Sequence, residues 1–538
     1  MTQGKLRKEA GLVGLLLAGV TTMIGSGWLF APLAAARDAG PLSIGSWITA
    51  TVVISLLALI YAELAPMFPK SGGLVHMSLV SHGTLVGRIW SWILFLAYVS
   101  IAPVEAMAVV TYADSYIHGL VDPQTLLLTA TGVWASVLVL AVIAALNFMI
   151  IRLVLLFNSI ATWLKVCTPI GTIVILLIFS HHDSNLSVSA GTSHSSWAAM
   201  FTSVSTAGVF FSLFGFRQPI DLAGEAKNPS RALPIAVLGT IVIGAAIFIL
   251  LQYAFVTAVP PDLLASSGWH SLSFGGIAGP FAGLALVIGA SFWATVLYAD
   301  AIVSPTMCGY MWMTTTPRIL HAMGEQTLWP RVLARVNRHG VPWIGVLATF
   351  AVGTLFLLPF PSWQKLVTYA SSATVLSYGI GPVVLLAMRK AQPNLERRSF
   401  RLPVARLIAS LAFIASNFVM FWAGYVVLSF LLALIAGAFL CYAAYRLLRR
   451  AGPADLAEWR QAWWLLPYFL GMWLICYVGP ISMGGNGLLN VYEGMGAVAV
   501  LSLLTLQLAL RSKLPAAQIS ESYHRIFQTT VENDKNKV

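Results

Sequence analysis

The chain has 538 residues, of which 58% are hydrophobic and only 9% charged, and its net charge is +12. A soluble globular chain carries about 25% charged residues, and a surface this poor in charge associates in water through its apolar patches. The composition excludes a cytosolic enzyme, a secreted domain and a disordered chain, and leaves a protein whose main solvent is lipid.

A helix needs about 20 apolar residues to cross roughly 30 Å of hydrocarbon. Fourteen windows of this kind run along the chain, at about 11–36, 41–64, 89–114, 126–147, 153–179, 199–222, 234–258, 281–316, 342–359, 365–388, 405–424, 426–446, 463–482 and 493–511. The eighth is too long for one span, and Ala423-Gly424 divides the run 405–446 into two. The first 36 residues do not read as a cleavable signal: Gly25-Ser26-Gly27 interrupts the apolar run and no small-residue cleavage site closes it. After Leu510 the chain turns polar, and a frayed tail is expected.

The basic residues sit in short clusters between the windows rather than along one face, which argues against nucleic acid as a partner. With the N-terminus inside, 27 of the 31 lysines and arginines fall in inside segments. Only Arg37 and Lys365 lie at outside ends, while Lys165 and Arg217 lie within or close to spans. This asymmetry predicts two cytoplasmic termini. Cys167, Cys308, Cys441 and Cys476 all lie in apolar stretches, so packed thiols are expected and neither a disulfide framework nor a metal site. The outside loop 180–198, with His181, His182 and His194, reads as a polar loop.

Two windows are poor helices at their centres. The first reads Thr21-Thr22-Met23-Ile24-Gly25-Ser26-Gly27-Trp28 with Pro32 following; the sixth reads Gly208-Val209-Phe210-Phe211-Ser212-Leu213-Phe214-Gly215-Phe216-Arg217-Gln218-Pro219. Backbone groups freed in lipid cost several kcal/mol each unless protein or a polar cavity satisfies them. One such break also suits close helix packing. Two breaks, at the first and sixth of ten spans, mark corresponding places in two five-helix halves, which is the sequence pointer to a secondary transporter's midplane site. The first break is expected to offer amide N–H groups to a carboxylate and the second to offer carbonyls to an ammonium, a fit for an amino acid.

The chain resembles the amino acid–polyamine–organocation permeases. The glycine-serine-glycine of the first span, Tyr61-Ala62-Glu63-Leu64 with Pro69-Lys70-Ser71-Gly72-Gly73, Phe214-Gly215-Phe216, Glu225-Ala226-Lys227-Asn228-Pro229-Ser230-Arg231, and Arg318-Ile319-Leu320-His321-Ala322-Met323 with Trp329-Pro330 occur in order, over about residues 8–450. Gly215-Phe216-Arg217-Gln218, Asp221-Leu222-Ala223-Gly224-Glu225 and Tyr298-Ala299-Asp300-Ala301 look most like the bacterial aspartate/proton symporter branch. The resemblance implies an all-α, LeuT-type 5+5 inverted repeat with broken first and sixth helices. It divides the chain into an N-terminal segment 1–10, a core 11–390 with halves at about 11–179 and 199–388, four added helices in 391–511, and a tail 512–538. This family usually has twelve spans, and many members carry an acidic residue where this chain has Arg217.

Charge at the bilayer centre costs about 2.5–3.5 kcal/mol even on lenient scales, so buried charges become candidates for mechanism. Lys165 lies about 18 Å into the fifth span at 1.5 Å per residue. In proton-coupled members of the resembled family a lysine stands here, where sodium-driven relatives bind a coupling ion; the other reading is a permanently charged strut to carbonyls of the first span. Glu105 and Asp300 are either proton or ammonium sites or paired structural carboxylates. Arg217 either meets a substrate's side-chain carboxylate or pairs with Asp221 one turn on. Glu63 and Glu225 lie among Lys70, Lys227 and Arg231, as an inner gate or as a solvated helix end. The candidate substrate contacts are Gly25, Ser26, Gly27, Phe210, Ser212, Phe214, Gly215 and Arg217, with Trp28 as a gate.

The expected function is proton-coupled import of acidic amino acids into a bacterial cell across its inner membrane, with H+ as the coupling ion, no cofactor and the bilayer as partner. An exchanger, a neutral, cationic or polyamine carrier, and a membrane sensor that binds without transport are the alternatives. No Ser/His/Asp or metal constellation points to an enzyme.

Overall fold

The computed structural model describes all residues except 1–9, 71, 124, 126, 149–150, 188–195, 275–278, 338–339, 396–397, 449–455 and 528–538. The expectations for residues 1–9, His194 and the end of the tail lie outside the described residues. The described residues are helical, with two isolated bridge pairs, Ala10 with Ala226 and Val121 with Leu128.

Leu12–Met23 (α1) and Gly27–Ala39 (α2) are the two halves of the first window, parted at Ile24-Gly25-Ser26. Ser43–Met67 (α3), Gly73–Val99 (α4), Ile101–Ala113 (α5), Ala130–Leu146 (α6) and Ile151–Phe179 (α7) follow. Trp197–Thr206 (α8), a 3-10 segment Phe211–Arg217 and Gln218–Asp221 (α9) form the second broken span, bent by 54°. Pro229–Ala258 (α10), the short Pro261–Ser267 (α11) and Pro280–Val287 (α12), Ser291–Glu325 (α13), Trp343–Phe356 (α14), Trp363–Tyr378 (α15) and Ile380–Ala391 (α16) come next. Ala405–Trp422 (α17), Tyr425–Leu448 (α18), Leu456–Ala462 (α19), Leu465–Val478 (α20), Val491–Ser512 (α21) and Ala516–Phe527 (α22) follow.

Local chemistry sets these limits. The Thr129 and Ser196 hydroxyls accept the Gly132 and Ala199 N–H groups at the starts of α6 and α8, and Asn490 with Glu493 makes a capping box on α21. Proline begins α10, α11 and α12, where its missing N–H has no partner to lose. Gly424, at φ +89°, parts α17 from α18 where the sequence places the divide.

Helix occupies all fourteen windows. Among the described residues, eight helical segments are long and apolar enough to cross a membrane, nine with the bent pair. The counts differ for a geometric reason. Gly27–Met67 and Gly73–Ala113 have 41 residues each, about 60 Å of helix and twice the hydrocarbon thickness. Breaks shorten other spans, and α1, α6 and α14 are apolar but only 12, 17 and 14 residues long. The Tyr425–Ala444 stretch of α18 is apolar yet only 17% buried. Trp134, Ile178 and Val242 are likewise exposed on α6, α7 and α10. Such surfaces need lipid.

The eighth window, too long for one span, is two helices: Gly289, at φ +82°, separates α12 from α13, and α13 runs on to Glu325. Two expectations change. The residues before window three are helical: α4 starts at Gly73, and Gly83 at φ +81° turns a short arm away from the rest of the helix. The frayed tail is instead α22, because Ile519, Tyr523 and Phe527, spaced by four, form one apolar face that is buried.

Two broken spans cross at the centre of the bundle. α1 lies on α10 and on the 3-10 segment, and α3 runs along α10. There the Trp47 indole N–H donates to Gln252 Oε1 at 2.7 Å, and Gln252 Nε2 donates to Ser43 Oγ at 2.9 Å and to the Pro32 carbonyl at 3.2 Å. The added helices tie together through Asn417, which donates to Ser502 Oγ at 2.8 Å and accepts the Tyr468 hydroxyl at 2.7 Å. α17 joins them to the core along α3 and α15.

Candidate functional site

The two breaks touch. A Cβ built on Gly27 comes 2.2 Å from Ser212 Oγ, and one on Gly215 comes 2.3 Å from the Gly19 carbonyl oxygen and 2.5 Å from the Met23 nitrogen. Only glycine allows this approach, so Gly215 and Gly27 set the spacing of the crossing. Gly208, at φ +80°, turns the chain from α8 into the 3-10 segment, and the Ser212 hydroxyl donates back to the Gly208 carbonyl at 2.9 Å.

The carbonyls freed at the end of α1 are taken by neighbouring helices. Lys165 Nζ on α7 donates to the Thr21 oxygen at 2.7 Å, Cys308 Sγ on α13 to the Thr22 oxygen at 3.2 Å, and Ser304 Oγ to the Ile24 oxygen at 3.2 Å. Thr21 and Thr162 share a hydroxyl hydrogen bond of 2.8 Å beside them. On the other side of the break, the Ser26 N–H at the head of α2 donates to Glu105 Oε2 at 2.8 Å. By geometry Glu105 Oε1 and both oxygens of Asp300 accept no hydrogen bond; the Cys308 thiol beside the first and the Thr168 hydroxyl beside Asp300 donate to backbone carbonyls. All three charged groups are buried, and the charges of Glu105 and Asp300 both act on Lys165. The first break thus holds one ammonium and two carboxylates. The sequence reading left the Ser26 amide open to a ligand; a carboxylate of the protein's own occupies it.

Trp363, absent from the sequence candidates, covers the break. Its indole N–H donates to Ser26 Oγ at 3.0 Å, and its ring lies 4.9 Å from that of Phe30 and 6.4 Å from that of Phe211. It lies two residues before the window 365–388 and far in sequence from both breaks, which hides it. Phe210 and Phe214 are buried with ring centroids 5.6 Å apart. Trp28, expected as a gate, is buried on α2 with its ring 5.7 Å from Phe281 of α12. Ser304 and Cys308 were also missed. Their signal was present: with Asp300 they recur every four residues, one stripe of a helix.

Arg217 lies one turn beyond the second break, fully buried between two tyrosines. Its guanidinium carbon is 4.4 Å from the Tyr98 ring centre and 4.3 Å from that of Tyr378. Nη1 donates to Ser377 Oγ at 3.2 Å, Nε and Nη2 make no hydrogen bond by geometry, and the charge of Asp221 acts on the guanidinium. Asp221 accepts the Tyr98 hydroxyl at 2.6 Å. Tyrosine stacking was in neither sequence reading of Arg217.

Both ends of the crossing are closed. At the end with the basic loops, Glu63 accepts Arg389 Nε at 2.9 Å and Nη2 at 2.5 Å and the Leu402 N–H at 2.8 Å, and forms an ion pair with Arg398 Nε at 3.2 Å. Glu225 pairs with Arg318 at 3.1 Å. The expected cations were Lys70, Lys227 and Arg231. Lys70 instead reaches α22, donating to the Ile526 carbonyl at 2.6 Å. Those cations are near in sequence; the arginines are near in space. At the other end Thr206 Oγ1 donates to Asp38 Oδ2 at 3.1 Å, and Arg37 Nε to the Leu272 carbonyl at 2.8 Å.

A broken-helix crossing with buried charge is the arrangement of a carrier, and residues 11–505 match the family model described as amino acid permease. The chain belongs to the amino acid permease family. The permease is an integral membrane transporter and not an enzyme. It is 35% identical over 516 residues to the "Glutamate/serine transporter AimA" of Bacillus subtilis (strain 168), covering 94% of each chain. It is 33% identical over 519 residues to the "Aspartate-proton symporter" of the same organism, covering 96% of the permease and 99% of that relative. A more distant relative, "Cationic amino acid transporter 4" of Homo sapiens, is 28% identical over 406 residues, which is 72% of the permease and 61% of that protein.

Proposed function

We propose that this permease takes up acidic amino acids together with protons, by alternating access around the crossing of the two broken helices. The observation that carries the proposal is the buried charge at the first break: Lys165 on the Thr21 carbonyl, with Glu105 and Asp300 acting on it. Burying an ammonium and two carboxylates without a transport role is costly, and a cycle that adds and removes a proton uses them. Arg217 supports the acidic substrate, since Nε and Nη2 are buried donors left for a side-chain carboxylate. The names of the two relatives, a glutamate/serine transporter and an aspartate-proton symporter, agree with that choice. The distribution of basic residues supports an inner-membrane protein with both termini in the cytoplasm, which puts the Glu63 cluster at the inner end.

The test is uptake of a labelled amino-acid panel into proteoliposomes, with and without an acid-outside gradient. Aspartate and glutamate are expected to accumulate only with the gradient, and substrate is expected to carry acid inward. Lys165→Met is expected to abolish this substrate-dependent acidification while substrate equilibration persists. Unchanged acidification in that variant would sink the coupling role of Lys165. A second reading is exchange without protons. One observation favours it: the Lys165 hydrogen bond to Thr21 is complete as it stands, as a permanent strut requires. Gradient-independent uptake that needs a second amino acid on the far side selects exchange.

A further inference from the structure

The buried carboxylate of Glu105 stands at the head of a helix. The head of α2 is a 13-residue helix start at which the dipole and the free N–H groups favour a negative charge. A substrate carboxylate is drawn to the same point, yet Glu105 Oε2 already holds the Ser26 N–H at 2.8 Å. Glu105 comes from α5, is 1% exposed, and has its second oxygen aimed at Gly25: a Cβ there comes 2.5 Å from Oε1. By geometry that oxygen accepts no hydrogen bond: the Cys308 thiol lies beside it but donates to the Thr22 carbonyl. The groups that face it are Lys165 from α7 and Cys308 from α13, with Asp300 beyond Lys165; Glu105 is the sole titratable group of the Ile101–Val110 stretch of α5.

We propose that Glu105 is a built-in competitor for the substrate's α-carboxylate, holding the Ser26 amide until a proton discharges it. The inference rests on the proton-coupled reading above and deepens it. Two carboxylates sharing one helix head cannot both stay ionised at hydrogen-bond distance from the same N–H. Binding of substrate therefore requires a proton on Glu105. The proton arrives from the outer solution and forms an O–H bond at the unpartnered Oε1. The neutral acid gives up the Ser26 N–H, and the substrate's carboxylate takes it. At the inner face that O–H bond breaks, the proton leaves to solution, and the ionised Glu105 returns to Ser26 and displaces the substrate. One proton moves per substrate and nothing is oxidised or reduced. The proton binds from the more acid side and leaves to the more alkaline one, so the site empties toward the alkaline side. Gly25 is part of the device, because any side chain there pushes Oε1 away.

The test is equilibrium binding of labelled L-aspartate, L-glutamate and L-serine to the purified full-length permease in nanodiscs, between pH 5.5 and 8.5. The unaltered protein is expected to bind its substrate more tightly as pH falls, by up to about tenfold per unit for one linked proton. Glu105→Gln keeps the shape without the charge. It is expected to bind at pH 8.5 at least as tightly as the unaltered protein does at pH 5.5, with a flat pH profile. A Glu105→Gln protein that melts like the parent but keeps the parent's slope overturns the proposal. So does one that binds nothing at any pH. If that variant cannot be recovered folded, Glu105→Asp, whose shorter side chain reaches Ser26 poorly, is expected to bind more tightly than the parent at pH 8.5; equal or weaker binding overturns the proposal. Binding of substrate by the unaltered protein with no pH dependence overturns the competitor and leaves permease activity standing. No binding of any of the three amino acids overturns the acidic-substrate reading together with it.

Discussion

Arg217 shows how much one side chain owes to its surroundings. A buried guanidinium needs either an anion or a π face, and Tyr98 and Tyr378 supply two faces while Ser377 takes one N–H. The edge bearing Nε and Nη2 is left without partners, a fork suited to a carboxylate. Arg217→Gln is expected to lower aspartate and glutamate uptake by about tenfold to hundredfold, the worth of one or two charge-assisted hydrogen bonds, and to leave serine uptake within a few-fold. Proteoliposome uptake of the three amino acids checks this, and equal losses for all would remove Arg217 from specificity. Its depth could be read from the sequence because charge is rare in such a run. Its tyrosine partners could not, because they arrive from α4 and α15, some 119 and 161 positions away.

At the scale of elements, each helix break is completed by other helices. The carbonyls that α1 frees are taken by Lys165, Cys308 and Ser304, so the break is a built feature and not a defect. The last helix is held in a comparable way. α22 lays Phe527 5.5 Å from Phe68, its Tyr523 hydroxyl donates to the Met67 carbonyl at 2.7 Å, and Lys70 reaches its end. Each of Ile519, Tyr523 and Phe527 withdraws a large apolar surface from water, about 1.5–3 kcal/mol apiece. Truncation after Lys513 is expected to lower the melting temperature of the purified protein and to expose Phe68 and His76; an unchanged melting curve would show that α22 contributes nothing to stability. The polar composition that suggested fraying hid a face spaced by four, visible only when the stretch is read as one helix.

At the scale of the whole molecule, the permease is closed at both ends, and the closures differ in kind. Hydrogen bonds of Asp38, Arg37 and Trp363 close one end, and ion pairs of Glu63 and Glu225 the other. Glu63 is fully buried with two arginines and the Leu402 N–H on it, so removing its charge leaves Arg389 and Arg398 facing each other uncompensated. Breaking a buried pair costs about 3–5 kcal/mol, enough to favour an open inner end. Glu63→Gln is therefore expected to speed modification of the buried Cys308 by a small thiol reagent several-fold, read by mass spectrometry at that residue. An unchanged rate would show that Glu63 holds no gate.

The sequence by itself determined that this protein lives in lipid, that its first and sixth spans are broken, and to which family it belongs. Those properties are local: apolar length, glycine and proline, and ordered motifs are carried by neighbouring residues. The tertiary structure alone decided the partners. Glu105 meets Ser26 across 79 residues, Lys165 meets Thr21 across 144, and Glu63 meets Arg389 across 326. Which helix faces which, and at what rotation, depends on how the whole bundle packs, through approaches such as Gly215 on Gly19. A single sequence contains the charges, and only the packed helices show which amide, carbonyl or guanidinium each one faces.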